Sequence, residues 1–180
     1  MAVGTLLVLI DANGKAQNMQ LVMTNVSFAL DSMTREIRTG YKYECKNDDD
    51  DLSKTNADVT PYVDTPNCSG GQENFAFTES DDSLTSGKGS QRIAYKLEGT
   101  EIQRRLGNNG SWQAITAPEV TIDTLEFIVT DAKPYYDTPV GNDVKSPTVT
   151  IFISGSAGDI DGLDTTFNLQ TTVTQNSIDL

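Results

Sequence analysis

Apolar residues recur every three or four positions from Met19 onward: Met19, Val22, Met23, Val26, Ala29, Leu30, Met33 and Ile37. That is the period of a helix with one buried stripe. Gln20, Thr24, Asn25, Asp31, Ser32, Thr34 and Arg38 make its polar face. Upstream lies an apolar stub, TLLVLI, from Thr5 to Ile10. Gly40 supplies a stop, because glycine tolerates the left-handed conformation often found just past a helix end. Arg35 and Arg38 sit in the last turn, where positive charge suits the helix dipole. The spacing predicts a helix from about Thr5 to Thr39, roughly 50 Å long at 1.5 Å per residue. A compact domain of this size is only ~30–35 Å across. The stem is therefore expected to protrude, with Gly14 as a weak or kinked point.

After Gly40 the helical period disappears. Residues 41–90 are rich in Ser, Thr, Asn, Asp and Gly and read mostly as loop, with one short strand candidate, NFAFTES. From Arg92 the period becomes two. RIAYKLEG sets Ile93, Tyr95 and Leu97 on one face, and TEIQRRLG sets Ile102 and Leu106 on one face with Arg104 between them. Glu98-Gly99 predicts a tight turn joining the two, and SWQAIT completes a three-strand meander. In EVTIDTLEFIVTDA, Val120 and Ile122 share one parity while Leu125, Phe127 and Val129 share the other, which predicts a bulge or bend at Asp123-Thr124. Val149, Ile151 and Ile153 line one face of the next strand, and Phe167, Leu169 and Val173 one face of the last. The expected fold is α+β: a long N-terminal stem helix, residues 1–40, packed on an antiparallel β-sheet head, residues 41–180, with a loop-rich insertion at 41–90. Met19, Val22, Val26, Leu30, Met33 and Ile37 are the expected helix–sheet contacts.

Charge and composition narrow the function. The 180 residues carry 26 acidic and 13 basic side chains, a net of −13. Nucleic acid is not an expected partner, since phosphate binding needs a basic footprint. Anionic lipid headgroups are disfavoured on the same ground. The chain has no histidine, which removes the commonest general base and the usual zinc ligand. No enzyme activity is expected. Cys45 and Cys68 flank an acidic, Asn- and Asp-rich stretch. A disulfide closing that loop contributes ~3 kcal/mol in an oxidising compartment. The alternative is two unrelated thiols in a reducing one.

Candidate chemistry is sparse. Asp159, Asp161 and Asp164 around Gly162 have the alternating carboxylates of a calcium loop but lack the spacing and closing glutamate of an EF-hand. An acidic turn between two strands is the plainer reading. The run Asp48 to Asp51 reads as a solvated charge cluster. Asp81-Asp82 lies in a polar loop, where no apolar pocket raises a carboxyl pKa for glycoside chemistry. Trp112 and Tyr135-Tyr136 read as core or rim packing rather than a sugar platform.

The order of segments resembles the type IV pilin and type II secretion pseudopilin class, and more narrowly its minor subunits. Met33, Arg35, Glu36, Ile37 and Arg38 match the Met-x-Arg-Glu-Ile-Arg type signature that ends the stem of such proteins. Val120, Ile122, Leu125 and Phe127 resemble their strand region, and Phe167 to Gln170 with Thr171 to Gln175 their closing strand. The leader and the first part of the apolar half-helix that define the class are not in this sequence. AVGTLLVLI looks like the distal part of that half-helix, so the chain reads as a truncation. The resemblance implies a subunit whose stem residues Val3, Leu6, Leu7, Val8, Leu9 and Ile10 are held in the inner membrane. They would then pack in a filament core with other pilin or pseudopilin subunits. The head would be extracytoplasmic, no cofactor beyond a possible calcium is implied, and the true N-terminus is expected to be processed and methylated. The competing expectation is a secreted calcium- or carbohydrate-binding β module with a merely structural helix.

Overall fold

A computed structural model describes residues 2–46, 67–79, 92–107, 110–132, 146–157 and 165–176. Helix α1 runs Ala2–Thr39, about 57 Å at 1.5 Å per residue. It is followed by antiparallel strands only, an α+β arrangement. The strands are β1 (Tyr41–Lys46), β2 (Cys68–Gln72), β3 (Asn74–Thr78), β4 (Arg92–Glu98) and β5 (Glu101–Leu106), then β6 (Gln113–Ala114), β7 (Val120–Thr130), β8 (Thr148–Ala157) and β9 (Thr165–Thr174).

They form two sheets rather than one. The first has the order β1-β3-β4-β5-β6, the second β2-β7-β8-β9. Strands β1 and β2 fall in the stretch read as mostly loop, whereas β3 coincides with the strand candidate NFAFTES. β1 escapes the period-two pattern because Tyr43, Glu44 and Cys45 are buried in succession, across an irregularity in its pairing with β3 between Tyr41 and Glu44. Lys42, within that irregularity, has a positive φ of 54°. The β4–β5 hairpin turns at Gly99, φ 62°, a conformation glycine adopts without a Cβ penalty. In β7 the register against β8 shifts between Ile122 and Thr124, where the apolar parity switches in sequence.

The core lies between the layers. The inner faces of both sheets meet across Phe75 and Phe127, whose rings stack with centroids 4.9 Å apart. Helix α1 covers β8 and β9. Its buried stripe is Val22, Val26, Ala29, Met33 and Ile37, none more than 1% exposed, with Leu21 and Leu30 half-buried beside it. Met19 departs from the expected stripe. It is 41% exposed, about one turn before the head begins to cover the helix. Leu106 is exposed too, at the far end of β5, while its neighbour Arg105 is buried and packs over the Trp112 ring from 4.6 Å.

Candidate functional site

Among the described residues, the head leaves the apolar start of α1 uncovered. Val8, Leu9 and Ile10 are 68%, 67% and 57% exposed. A helix turns 100° per residue, so these three point in different directions spread over about 200° of the helix circumference. Val3, Leu6 and Leu7 lie on the same helix, with side chains outside the described residues. Among the described residues no helix is long and apolar enough to cross a membrane.

At its other end the helix is built into the head. The carbonyls of its last turn lack intrahelical partners, and tertiary donors supply several. The Tyr43 hydroxyl donates to the carbonyls of Ile37 (2.7 Å) and Gly40 (2.8 Å). The Gln175 side-chain amide donates to Gly40 O at 3.0 Å. The Asn176 amide reaches Arg38 O at 2.9 Å, and the Gly40 amide reaches Ile37 O at 3.0 Å. Strand β1 and the end of β9 thus clamp the helix terminus from two sides. Gly40 serves here by size rather than by a left-handed backbone. A Cβ at this position would overlap the Phe77 ring, and its φ is not positive.

One turn earlier, Glu36 ties the helix to the first sheet. Its Oε2 accepts from the Tyr95 hydroxyl at 2.5 Å and from Arg104 Nε at 3.0 Å. Tyr95 and Arg104 are directly opposed on β4 and β5. Burial pushes the Tyr95 phenol well above its ordinary range, and the Glu36 carboxylate adds to the shift. Burial opposes the charge on Arg104, but Glu36 outweighs it and the net shift is upward. By contrast Asp31 and Arg35 form an exposed i,i+4 pair at 2.7 Å, of a kind that adds little.

Cys45 and Cys68 are joined by a disulfide, Cα atoms 6.4 Å apart. It connects β1 of the first sheet to β2 of the second, and both residues are buried. Asp159, Asp161 and Asp164, Asp48 to Asp51, Asp81-Asp82 and Tyr135-Tyr136 lie outside the described residues. Among the described residues no group of three His, Cys, Asp or Glu side chains is placed to hold a metal. Lys96 and Arg105 both lie over the Trp112 ring, 4.8 and 4.6 Å from its centroid.

Sequence reasoning missed the junction. Tyr43, Tyr95 and Gln175 gave no periodic signal as hydrogen-bonding groups. Arg104 did give one, a cation at the parity of Ile102, since a charge aimed inward demands a partner. That partner is Glu36, 68 residues away.

Comparison with protein families finds a match over residues 15–175 to the model described as prepilin peptidase-dependent protein B. No curated protein and no solved structure matches the chain.

Proposed function

We infer function from one premise: this chain belongs to the prepilin peptidase-dependent protein B family, whose model spans most of it. The premise makes the chain pilin-related, in a class whose role is normally structural and whose assembly is extracytoplasmic. Our reading goes further. The protein is a minor pilin or pseudopilin subunit that joins a type IV pilus or a related secretion filament through its N-terminal helix, after being held at the inner membrane. Other pilin-like subunits are its partners.

One observation carries this reading. The head ends its cover of α1 near Leu21, yet the helix continues toward the N-terminus and presents Val8, Leu9 and Ile10 to solvent. Apolar surface left in water on a regular helix is an unpaired association surface. Its spread over more than half of the helix circumference suits a helix with several helical neighbours better than one lying on a flat partner.

The test is mass spectrometry of sheared surface filaments from the native host. Peptides of this chain recovered in the filament fraction, and lost when Val8, Leu9 and Ile10 are changed to Ser, are expected. Recovery only from fractions without filaments overturns the reading.

A further inference from the structure

Strand β2 has little of its own to hold it in place. Its sequence is CSGGQ, and Cys68 is its one buried residue. Among the described residues it is the outer strand of its sheet, paired with β7. Two pairs are in register, Cys68 with Val129 and Gln72 with Phe127, and the register shifts between them. Four steps along β2 span two along β7, so the middle of the strand bulges off its partner. Ser69 and Gly70, in that bulge, are exposed. A Cβ at Gly70 would meet nothing within 4 Å, and Gly71 has a positive φ of 76°, a conformation that favours glycine. Together these two glycines form a joint of small residues able to absorb a change in φ and ψ.

The two sides of that joint are anchored unequally. Toward the C-terminus only Glu73 separates Gln72 from β3, whose five residues are all buried. Toward the N-terminus stands the Cys45–Cys68 disulfide. One polar contact accompanies it, the Ala132 amide donating to Asn67 Oδ1 at 2.9 Å. Cys45 is fixed on β1, in register with Phe75 of β3.

We propose that residues 67–71 are a redox latch. They form a flap hinged at Gly70-Gly71, which the Cys45–Cys68 bond locks over the edge of β7 and which swings open in the dithiol form while the rest of the head stays folded. The inference is independent of the filament reading. Closing the latch oxidises two thiols. Two S–H bonds break and one S–S bond forms, and the electron pair and two protons pass to the disulfide of a thiol–disulfide oxidoreductase, which becomes a dithiol. Such exchange requires a thiolate to reach a sulfur of the disulfide it attacks. With the flap open, Cys68 is presented to that partner. With it closed, both cysteines are buried, and the bond is shielded from the reverse attack. The latch therefore closes readily and reopens slowly. An open flap uncovers Val129, fully buried when the flap is closed, and the backbone edge of β7. An open edge of this kind is a template for foreign strands. Oxidation removes it from the head.

Hydrogen exchange tests this on the whole chain, compared in three forms: oxidised, reduced with a phosphine, and as the Cys45→Ala/Cys68→Ala variant. In both forms without the bond, peptides covering 67–72 and 127–130 should exchange at least about tenfold faster, while those of β8 and of the covered half of α1 keep their protection. Asn67→Ala in the oxidised protein should leave the flap closed. Alkylation by iodoacetamide without denaturant gives a second readout. Cys68 of the Cys45→Ala variant should react faster than Cys45 of the Cys68→Ala variant, because the first rides on the flap and the second stays on β1. Unchanged exchange of 67–72 without the bond overturns the proposal. Loss of protection throughout the head overturns it as well, since the bond would then hold the whole fold rather than a flap. Faster alkylation of Cys45 would put the moving part on β1, and opening in oxidised Asn67→Ala would put the lock in the Asn67 contact; either result defeats the latch.

Discussion

The two halves of α1 share one backbone and differ in everything around it. Residues 21–39 set Val22, Val26, Met33 and Ile37 into the head at 1% exposure or less. Residues 8–10 present equally apolar side chains to water. Isolated helices are marginal in water, and packing of one face supplies most helical stability in proteins. The covered half has that packing and the uncovered half does not. Hydrophobicity alone therefore does not say what a helical segment is for. In one half it folds the head, and in the other it remains available to something outside the head.

Exchanging the character of the covered half should have the largest effect. Val26 is fully buried, and Val26→Asp leaves a carboxylate without a partner among apolar side chains. The expected loss is roughly 4 kcal/mol or more, a large part of a typical domain's total of 5–15 kcal/mol. Thermal melting followed by circular dichroism should lose its cooperative transition. A folded Val26→Asp head with an unchanged melting temperature would refute the packing described here.

The disulfide sharpens the comparison from the side of the head. The cysteines are 23 residues apart, and closure of such a loop constrains the unfolded chain by about 3 kcal/mol. Because the bond joins the two sheets, replacing both cysteines with alanine should lower denaturant stability by about that amount and leave the exposed half of α1 unaffected. Equal midpoints for the wild type and the double variant in urea would remove the staple from this account.

Smaller is the tie at Glu36. Tyr95→Phe removes one donor to its carboxylate while Arg104 remains, so about 1–2 kcal/mol is expected. The sign of the pH dependence follows from the raised phenol pKa. A raised folded pKa contributes stability that is fully present below the unfolded value of about 10. It is lost as pH rises beyond that value toward the folded one. Wild type should therefore lose stability from about pH 10 upward more steeply than Tyr95→Phe. Parallel curves for the two proteins in that range would show that the phenol is not held as described.

Much of this architecture was legible where periodicity is local. The helical stripe, the β4–β5 hairpin and the break in β7 each follow from spacing within about a dozen residues, and the covered half of the helix was visible for the same reason. What was not legible depends on distant partners. β1 has a glutamate at its centre, and Glu44 is tolerated there because Arg92 meets it at 2.7 Å from β4. The split into two sheets rests on pairings such as Cys68 with Val129, which no local pattern specifies. Met19 continues the stripe in sequence but lies beyond the edge of the head, and the position of that edge is a property of the sheets. Gly40 was read from its position as a backbone stop, whereas its constraint is the Phe77 ring.

The smallest expected effect on folding is the most informative about the comparison. Changing Val8, Leu9 and Ile10 together to Ser removes apolar surface that the described residues of the head leave exposed. Surface substitutions away from specific features usually alter stability by no more than about 0.5 kcal/mol. Serine is a weaker helix former than leucine by a few tenths of a kcal/mol and about equal to valine and isoleucine, so the uncovered half should lose a little helicity, through Leu9, while the head keeps its melting temperature. Hydrogen exchange separates the two responses: amides before residue 20 should exchange faster, and those of Val26, Met33 and Ile37 should keep their protection. A lower melting temperature of the head, or lost protection in the covered half, would mean that the two halves are one cooperative unit. The stem would then be part of the fold rather than a surface reserved for a partner.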